Sequence, residues 1–155
     1  MGEPVSDALK RLSALCARKE MCRQDAKKKL ILWKIPEDER PSIIDTLIKY
    51  SFIDEERYAK AYVKDKTQYN RWGTRKIYMM LRRKGIDDDI IEAAIDEMEE
   101  EEDTSDILRT LLTEKNHSLR NEKDKYKRKQ KLIRFAISRG FEFDDIIDII
   151  SEIVD

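Results

Sequence analysis

The chain has 155 residues, and 42% of them are charged, yet its 32 basic and 33 acidic residues leave a net charge of only −1. This length suits one domain or a few small repeats with a real core, and the charge balance argues against a simple polycation that binds any nucleic acid. Because no apolar run approaches a membrane span and no signal-peptide pattern follows Met1, we expect a cytosolic protein.

The composition predicts an all-α fold. Helix-forming residues dominate, whereas there are only 3 prolines and 4 glycines, and the alternation typical of strands is missing. The two cysteines, Cys16 and Cys22, are six positions apart, which does not place them on one face of a helix. A disulfide or a zinc site is an open alternative, but two reduced cysteines are the default.

Three helices are predicted in the first third of the chain. The first starts near Ser6 or Asp7, the second covers about 23–33, and the third follows a turn bracketed by Pro36 and Pro41, since proline does not fit inside a helix. Their buried positions are expected to be Leu9, Leu12 and Cys16, then Ala26, Leu30 and Trp33, then Ile43, Ile44, Leu47 and Ile48.

Residues 52–86 predict two helices joined at a turn. Asp54 is a good N-cap for the first, whose apolar stripe would comprise Tyr58, Ala61, Tyr62 and Tyr69.

In the turn at 70–73, Gly73 is the residue most tolerant of unusual backbone angles, and Thr74 can cap the second helix. Gly85 would end that helix in a left-handed conformation, with Ile86 packing back onto Leu81.

The last part of the chain predicts four more helices. One is capped by Asp87 or Asp88, an acidic run at 99–103 follows, and Thr104 or Ser105 caps the next. Beyond a polar segment at 116–121, a long basic helix leads to Gly140, and Asp144 or Asp145 starts the final helix.

We interpret these helices as three related units of three. A shift of 55 positions aligns the middle and last units without a gap, placing Ile77, Leu81, Gly85, Ile86, Ile91 and Ile95 on Leu132, Ala136, Gly140, Phe141, Ile146 and Ile150. The first unit matches less well, since a proline-containing insertion replaces the glycine cap. We predict repeats at 6–51, 52–98 and 105–155, an acidic linker at 99–104, and an elongated or curved array.

The sequence offers no convincing active site. Its single histidine, His117, lies in the polar segment, and four scattered glycines cannot build a phosphate-binding loop. The carboxylates at 87–89 and 99–103 are more simply a helix N-terminus and a solvated linker. We therefore expect no catalytic residues, no metal site and no cofactor.

Charge is segregated by helix position instead. The second helix of each predicted repeat is basic and the third is acidic, so stacked repeats could present one basic surface to a phosphate backbone or an acidic protein groove. The alternative is a set of solvated faces with weak surface ion pairs. The Tyr58, Tyr62 and Tyr69 stripe favours the core over base stacking, whereas Trp72, beside Arg71, suits either an exposed or a packed position.

Three motifs in the central stretch resemble the RecX family of RecA regulators. They are Phe-Ile-Asp-Glu-Glu-Arg-Tyr-Ala at 52–59, Trp-Gly-x-x-Lys-Ile at 72–77 and Leu-Arg-Arg-Lys-Gly-Ile at 81–86. Residues 131–141 and 18–30 resemble the family's C-terminal and N-terminal units. Within the first unit, Cys22 stands where the family usually has a serine N-cap, and Ala26 stands where it usually has leucine.

The resemblance implies tandem three-helix repeats, no catalytic activity and binding in the groove of the RecA–single-stranded DNA filament. Binding would suppress the ATPase, strand-exchange and co-protease functions of RecA in DNA repair and the SOS response, with the regulator acting as a monomer. A stand-alone helical module that binds nucleic acid directly is the alternative. From position alone, the expected contact residues are Arg57, Lys60, Lys64, Arg71, Trp72, Arg75, Lys76, Arg82, Arg83, Lys84, Lys131, Arg134 and Arg139.

Overall fold

The structure, a computed structural model, describes residues 3–154, and within them the fold is all-α, as predicted. The described residues form nine α-helices and one short 3-10 turn, with no strand. The helices are α1 (Glu3–Arg18), α2 (Arg23–Leu32), α3 (Arg40–Lys49), α4 (Glu55–Gln68), α5 (Thr74–Arg83), α6 (Asp88–Glu101), α7 (Thr104–Ser118), α8 (Lys125–Ser138) and α9 (Phe143–Ile153).

The chain folds into two compact units, whose limits fall inside helices of the predicted middle repeat. Unit 1 contains the described residues up to Ala61 together with Leu81–Ile91. Its core is formed by α1, α2 and α3, where Leu12, Leu30 and Leu47 are fully buried. The stripes predicted for these three helices therefore do face a common core.

Unit 2 contains Tyr62–Met80 and the chain from Glu92 onward. Leu112 of α7, Leu132 of α8 and Ile146 of α9 are completely or almost completely buried at its centre. Every repeat position aligned by the 55-residue shift is buried, except the exposed Gly85. The internal similarity therefore reflects equivalent core positions.

Helix endings follow one pattern at four places in the chain. Gly85 (φ 80°) and Gly140 (φ 97°) are left-handed, as predicted for C-cap glycines. The amide of Ile86 donates to Leu81 O over 3.1 Å, the hydrogen bond of a Schellman ending. Ser51 (φ 61°) ends α3 in the same way.

Lys34 is the fourth left-handed ending, and it corrects the interpretation of the first repeat. Its φ is 60°, and the amide of Ile35 donates to Leu30 O over 3.0 Å. Lys34 therefore occupies the position of Gly85, so the glycine of the cap is replaced by a strained lysine and not removed by an insertion.

The turn between α4 and α5 differs from the prediction in two respects. Its left-handed residue is Arg71 (φ 54°), and Gly73 does not have a positive φ. Thr74 is already the first residue of α5, so Gly73 stands at the N-cap position. What requires a glycine at 73 is the close approach of the Gly140 backbone.

Several helix limits also differ from those predicted. Of the stripe predicted for α4, Tyr58 is buried and Ala61 and Tyr62 are half-buried, but Tyr69 is 80% exposed. Ala59 and Val63 are the other buried apolar residues of this helix. In chain order, α1 starts earlier than predicted, at Glu3, α7 continues into the polar segment as far as Ser118, and α9 starts at Phe143. Because α6 continues to Glu101, only Glu102 and Asp103 separate it from α7, which Asp103 caps.

Both cysteines are buried and unpaired. Cys22 is the N-cap residue of α2, and its amide donates to the carboxylate of Asp25 over 3.5 Å, half of a capping box. No helix in residues 3–154 is both long and apolar enough to cross a membrane.

Candidate functional site

In unit 2, the N-terminus of α5 meets the C-terminus of α8 through main-chain atoms. The amide of Gly73 donates to Arg139 O over 2.7 Å, and the amide of Arg75 donates to Gly140 O over 3.1 Å. The last carbonyls of α8 thus satisfy the first amides of α5, which have no partner within their own helix. A Cβ on Gly73 would overlap the backbone of Gly140, which explains the glycine at 73.

Two aromatic rings flank this junction, and each lies against two cations. The ammonium groups of Lys66 and Lys76 are 4.9 Å and 4.5 Å from the centre of the Trp72 ring. The Lys115 ammonium and the Arg139 guanidinium are both 4.8 Å from the centre of the Phe135 ring. Cation–π contacts of this length stabilise by about 0.5–1 kcal/mol at exposed sites.

These four cations share a further property. Within residues 3–154, none of Lys66, Lys76, Lys115 and Arg139 has a carboxylate at ion-pairing distance. We refer to them, together with Trp72 and Phe135, as the junction site. Trp72 is half-buried there, between the packed and exposed alternatives that the sequence left open.

Two ion pairs hold the turn before α5 in place. Arg71 pairs with Glu114 of α7 over 2.5 Å, and Arg75 pairs with Glu142 over 3.3 Å. The Arg75 and Glu114 side chains are more than half exposed, so each pair contributes only about 0–1 kcal/mol. These arginines can exchange their partners for another anion at little cost.

Four more of the predicted contact residues also form ion pairs. The partners are Glu20 for Arg57, Asp88 for Arg82, Asp25 for Lys84 and Glu122 for Lys131, over 2.6 Å, 3.1 Å, 2.9 Å and 2.8 Å respectively. The hydrogen bond to Glu20 raises the pKa of Arg57, and the hydrogen bond from Lys131 lowers the pKa of Glu122. These side chains are therefore already paired within the chain, whether or not they also bind a partner.

Lys60, Lys64, Arg83 and Arg134 complete the predicted set, and all four are exposed. The main-chain carbonyl of Arg83 accepts a hydrogen bond from the side-chain amide of Gln24 over 3.0 Å. The predicted residues divide between the two units, and only Trp72, Lys76 and Arg139 belong to the junction site. Sequence reasoning missed Lys66, Lys115 and Phe135, although Lys66 follows Tyr62 at the i, i+4 spacing that brings the two side chains together.

The described residues hold no cluster of histidine, cysteine, aspartate or glutamate suited to a metal ion, and His117 is exposed at the end of α7. The side chains that define the junction site are two lysines on Trp72 and a lysine and an arginine on Phe135, with no carboxylate, thiol or imidazole among them. What its arrangement can do is hold an anion and offer aromatic surface.

Comparison with known proteins gives a consistent result. The family model for the second three-helix domain of RecX matches residues 54–95, and the model for the third matches residues 101–150. A protein named regulatory protein RecX from Clostridium botulinum is 37% identical over 127 residues, which are 81% of this chain and 58% of that protein. Its namesake from Clostridium acetobutylicum is 34% identical over 72% of this chain and 52% of its own length.

The fold comparison agrees. The crystal structure of RecX from Lactobacillus salivarius matches with a TM-score of 0.77 and 26% identity, covering 98% of this chain and 97% of that one. A second crystal structure, of a regulatory protein RecX, matches with a TM-score of 0.84 at 23% identity, over 97% of this chain and 72% of that one. The chain spans between about half and three-fifths of the length of the curated relatives described above.

Proposed function

Because the chain belongs to the RecX family, we propose that it is a non-enzymatic regulator of the RecA recombinase. It would bind the RecA–single-stranded DNA filament in the cytoplasm as a monomer and suppress its ATPase, strand-exchange and co-protease activities. Repair of DNA and control of the SOS response are the processes that such suppression would affect. Three-helix repeats at 6–51, 52–98 and 105–155 are the proposed organisation.

The observation that carries this proposal is the junction site. Four cations without carboxylate partners lie on two aromatic rings at the meeting point of α5 and α8. A nucleoprotein filament exposes phosphates and acidic side chains, and both are attracted to such a cluster. The chain reaches this local excess of positive charge although its net charge is −1.

The test is ATP hydrolysis by RecA from the same organism, driven by single-stranded DNA and titrated with this protein. Inhibition at a small fraction of the RecA concentration, unchanged when the DNA is increased, is expected for a regulator of the filament. If inhibition disappears when DNA is added in excess, the protein acts by sequestering DNA, and the alternative of a nucleic-acid-binding module replaces the regulator.

Neutral substitutions are needed to locate the contact surface. Replacing Arg75 or Arg82 by glutamate would set a carboxylate against Glu142 or Asp88. Weaker folding could then be mistaken for weaker binding.

The double variant Lys66→Gln and Lys76→Gln avoids this difficulty, and we expect it to inhibit RecA at least several-fold less. The matched control is Lys10→Gln with Lys19→Gln, two exposed lysines of unit 1. Equal inhibition by the two double variants would place the contact surface elsewhere.

A further inference from the structure

The chain contains two equivalent junctions, and their charges differ. Shifts of 51 and 55 positions align the repeats, so the meeting of α2 with the end of α5 corresponds to the meeting of α5 with the end of α8. At the first junction, within unit 1, the side-chain amide of Gln24 donates to Arg83 O over 3.0 Å. Lys84 Nζ lies 2.9 Å from Asp25 Oδ1. This junction is joined by a hydrogen bond and an ion pair.

At the second junction, both members of that ion pair are replaced by cations. The 51-residue shift places Lys76 on Asp25, and the 55-residue shift places Arg139 on Lys84. Lys76 adjoins the end of α8, since a Cβ built on Gly140 would lie 2.5 Å from Lys76 Cβ. Main-chain hydrogen bonds join these two helix ends, so the contact does not depend on an ion pair.

Two adjacent like charges raise the free energy of a fold unless something between them is negative. In the described residues, the charged groups of Lys76 and Arg139 lie over the Trp72 and Phe135 rings, which do not neutralise them, and neither group pairs with a carboxylate. The hydrogen bonds from Gly73 and Arg75 hold the two backbones together regardless of this repulsion. The backbones of these two residues are thus held next to each other, so an anion that binds here would be attracted by both side chains.

We propose that the second junction binds a phosphodiester group of a single-stranded nucleic acid through Lys76 and Arg139, with Lys66 and Lys115 adding charge at its sides. Exposed aromatic surface favours a nucleic acid over an acidic peptide. Tyr69 is 80% exposed and lies three positions before the half-buried Trp72, and such rings stack on bases, whereas carboxylate side chains gain nothing from them. This site deepens the proposed function and rests on it as one of the filament contacts, but it is tested without RecA.

The first junction supplies the decisive variant. Lys76→Asp copies the charge pattern of Asp25 and Lys84 into the second junction and gives Arg139 a carboxylate partner. The probe is a short fluorescein-labelled oligothymidylate, with its anisotropy measured over a series of salt concentrations. The control is Lys10→Asp, an exposed lysine of α1 with the same change of charge.

We expect Lys76→Asp to melt no lower than Lys10→Asp, yet to bind the oligonucleotide about tenfold more weakly. The slope of log affinity against log salt should also fall by about 0.7 for each phosphate that the variant no longer neutralises. If Lys76→Asp is folded and its affinity and slope match those of the control, the proposal is wrong. Should Lys76→Asp fail to fold, Arg139→Gln replaces it, with the same expected decrease in slope and the same contradicting result.

Competition experiments identify the chemical class of the ligand that this junction binds. A polyglutamate peptide or inorganic phosphate, at matched ionic strength, should displace the oligonucleotide far less well than unlabelled oligothymidylate does. Equal displacement by polyglutamate would assign the site to an acidic protein segment, and equal displacement by inorganic phosphate would assign it to a small anion. Either result would overturn the assignment to a nucleic-acid strand without bearing on inhibition of RecA.

Discussion

Gly140 and Lys76 are in such close contact that a Cβ built on Gly140 would lie 2.5 Å from both the Cβ and the backbone nitrogen of Lys76. Gly140 also has a positive φ of 97°. Two independent demands, conformation and space, therefore meet at this residue. The other two turn glycines each meet only one of these demands. Gly85 has the positive φ without a close neighbour, and Gly73 has the close neighbour without a positive φ.

Alanine substitutions at these three positions should therefore rank in a definite order. Gly85→Ala adds a methyl group in open space and should cost about 1 kcal/mol through left-handed strain alone. Gly140→Ala adds a clash to the same strain and should cost clearly more. Gly73→Ala, with no strain but direct overlap with the Gly140 backbone, should also exceed Gly85→Ala. Urea unfolding measures all three, and a Gly85→Ala cost equal to that of Gly140→Ala would contradict the close contact.

Lys34→Gly should stabilise the protein by about 1 kcal/mol. Lys34 has a left-handed conformation (φ 60°) that suits glycine better than lysine, and the cap hydrogen bonds use only backbone atoms. The reverse change at the equivalent position, Gly85→Lys, should destabilise by a similar amount. Thermal melts of both variants are compared with the wild type, and a lower melting temperature for Lys34→Gly would show that the lysine side chain contributes to the fold.

Asp25 should make stability dependent on pH in the acid range. Burial raises the pKa of Asp25, but hydrogen bonds from Lys84 and Cys22 outweigh it, so the pKa is lower than in the unfolded chain. A lowered pKa contributes stability that is complete above the unfolded value of about 3.9 and is lost as the pH falls through the folded value. Asp25→Asn should thus be less stable than the wild type at pH 7, and the difference should shrink as the pH falls below the unfolded value.

The measurement is urea unfolding at a series of pH values. Asp7→Asn, which removes an exposed carboxylate of α1, controls for the general effect of charge. A constant difference between wild type and Asp25→Asn down to the lowest pH would exclude the ion pair with Lys84 as its source.

The two thiols should be almost unreactive in the folded protein. Burial raises the pKa of Cys22 to about 11 and also raises that of Cys16, to which Glu20 adds a further increase. Since the thiolate is the reactive form, only about one Cys22 side chain in a thousand is reactive at pH 8. In native protein, an aromatic disulfide reagent should therefore label both thiols only as fast as the protein unfolds. In protein unfolded by urea, it should label them at once. Rapid labelling of native protein would mean that α1 and α2 open locally.

The sequence predicts most of the fold because its signals are local. The Asp54 cap and the two left-handed glycines depend on neighbours a few positions away, and both are found in the structure. The apolar spacing is local too, and it places most of the expected residues at buried or half-buried positions. Tyr69 is the exception because α4 ends at Gln68, so its helical spacing to Tyr62 no longer determines where the side chain points.

The candidate site is harder to predict for a physical reason. Whether a cation is paired depends on which carboxylate another helix brings near it, as Glu114 does for Arg71 and Glu142 for Arg75. No pattern along one helix contains that information. The same limitation hides the role of Gly73, which is set by a residue more than sixty positions away.

The two junctions also respond differently to electrolyte. The Asp25–Lys84 pair attracts through space and weakens when mobile ions surround it, whereas the main-chain hydrogen bonds from Gly73 and Arg75 to the end of α8 are hardly screened. Added salt should therefore weaken the attraction across the first junction, whereas at the second junction it screens the repulsion between Lys76 and Arg139 and leaves the main-chain hydrogen bonds in place. Two equivalent helix contacts in one chain thus respond to ionic strength in opposite directions.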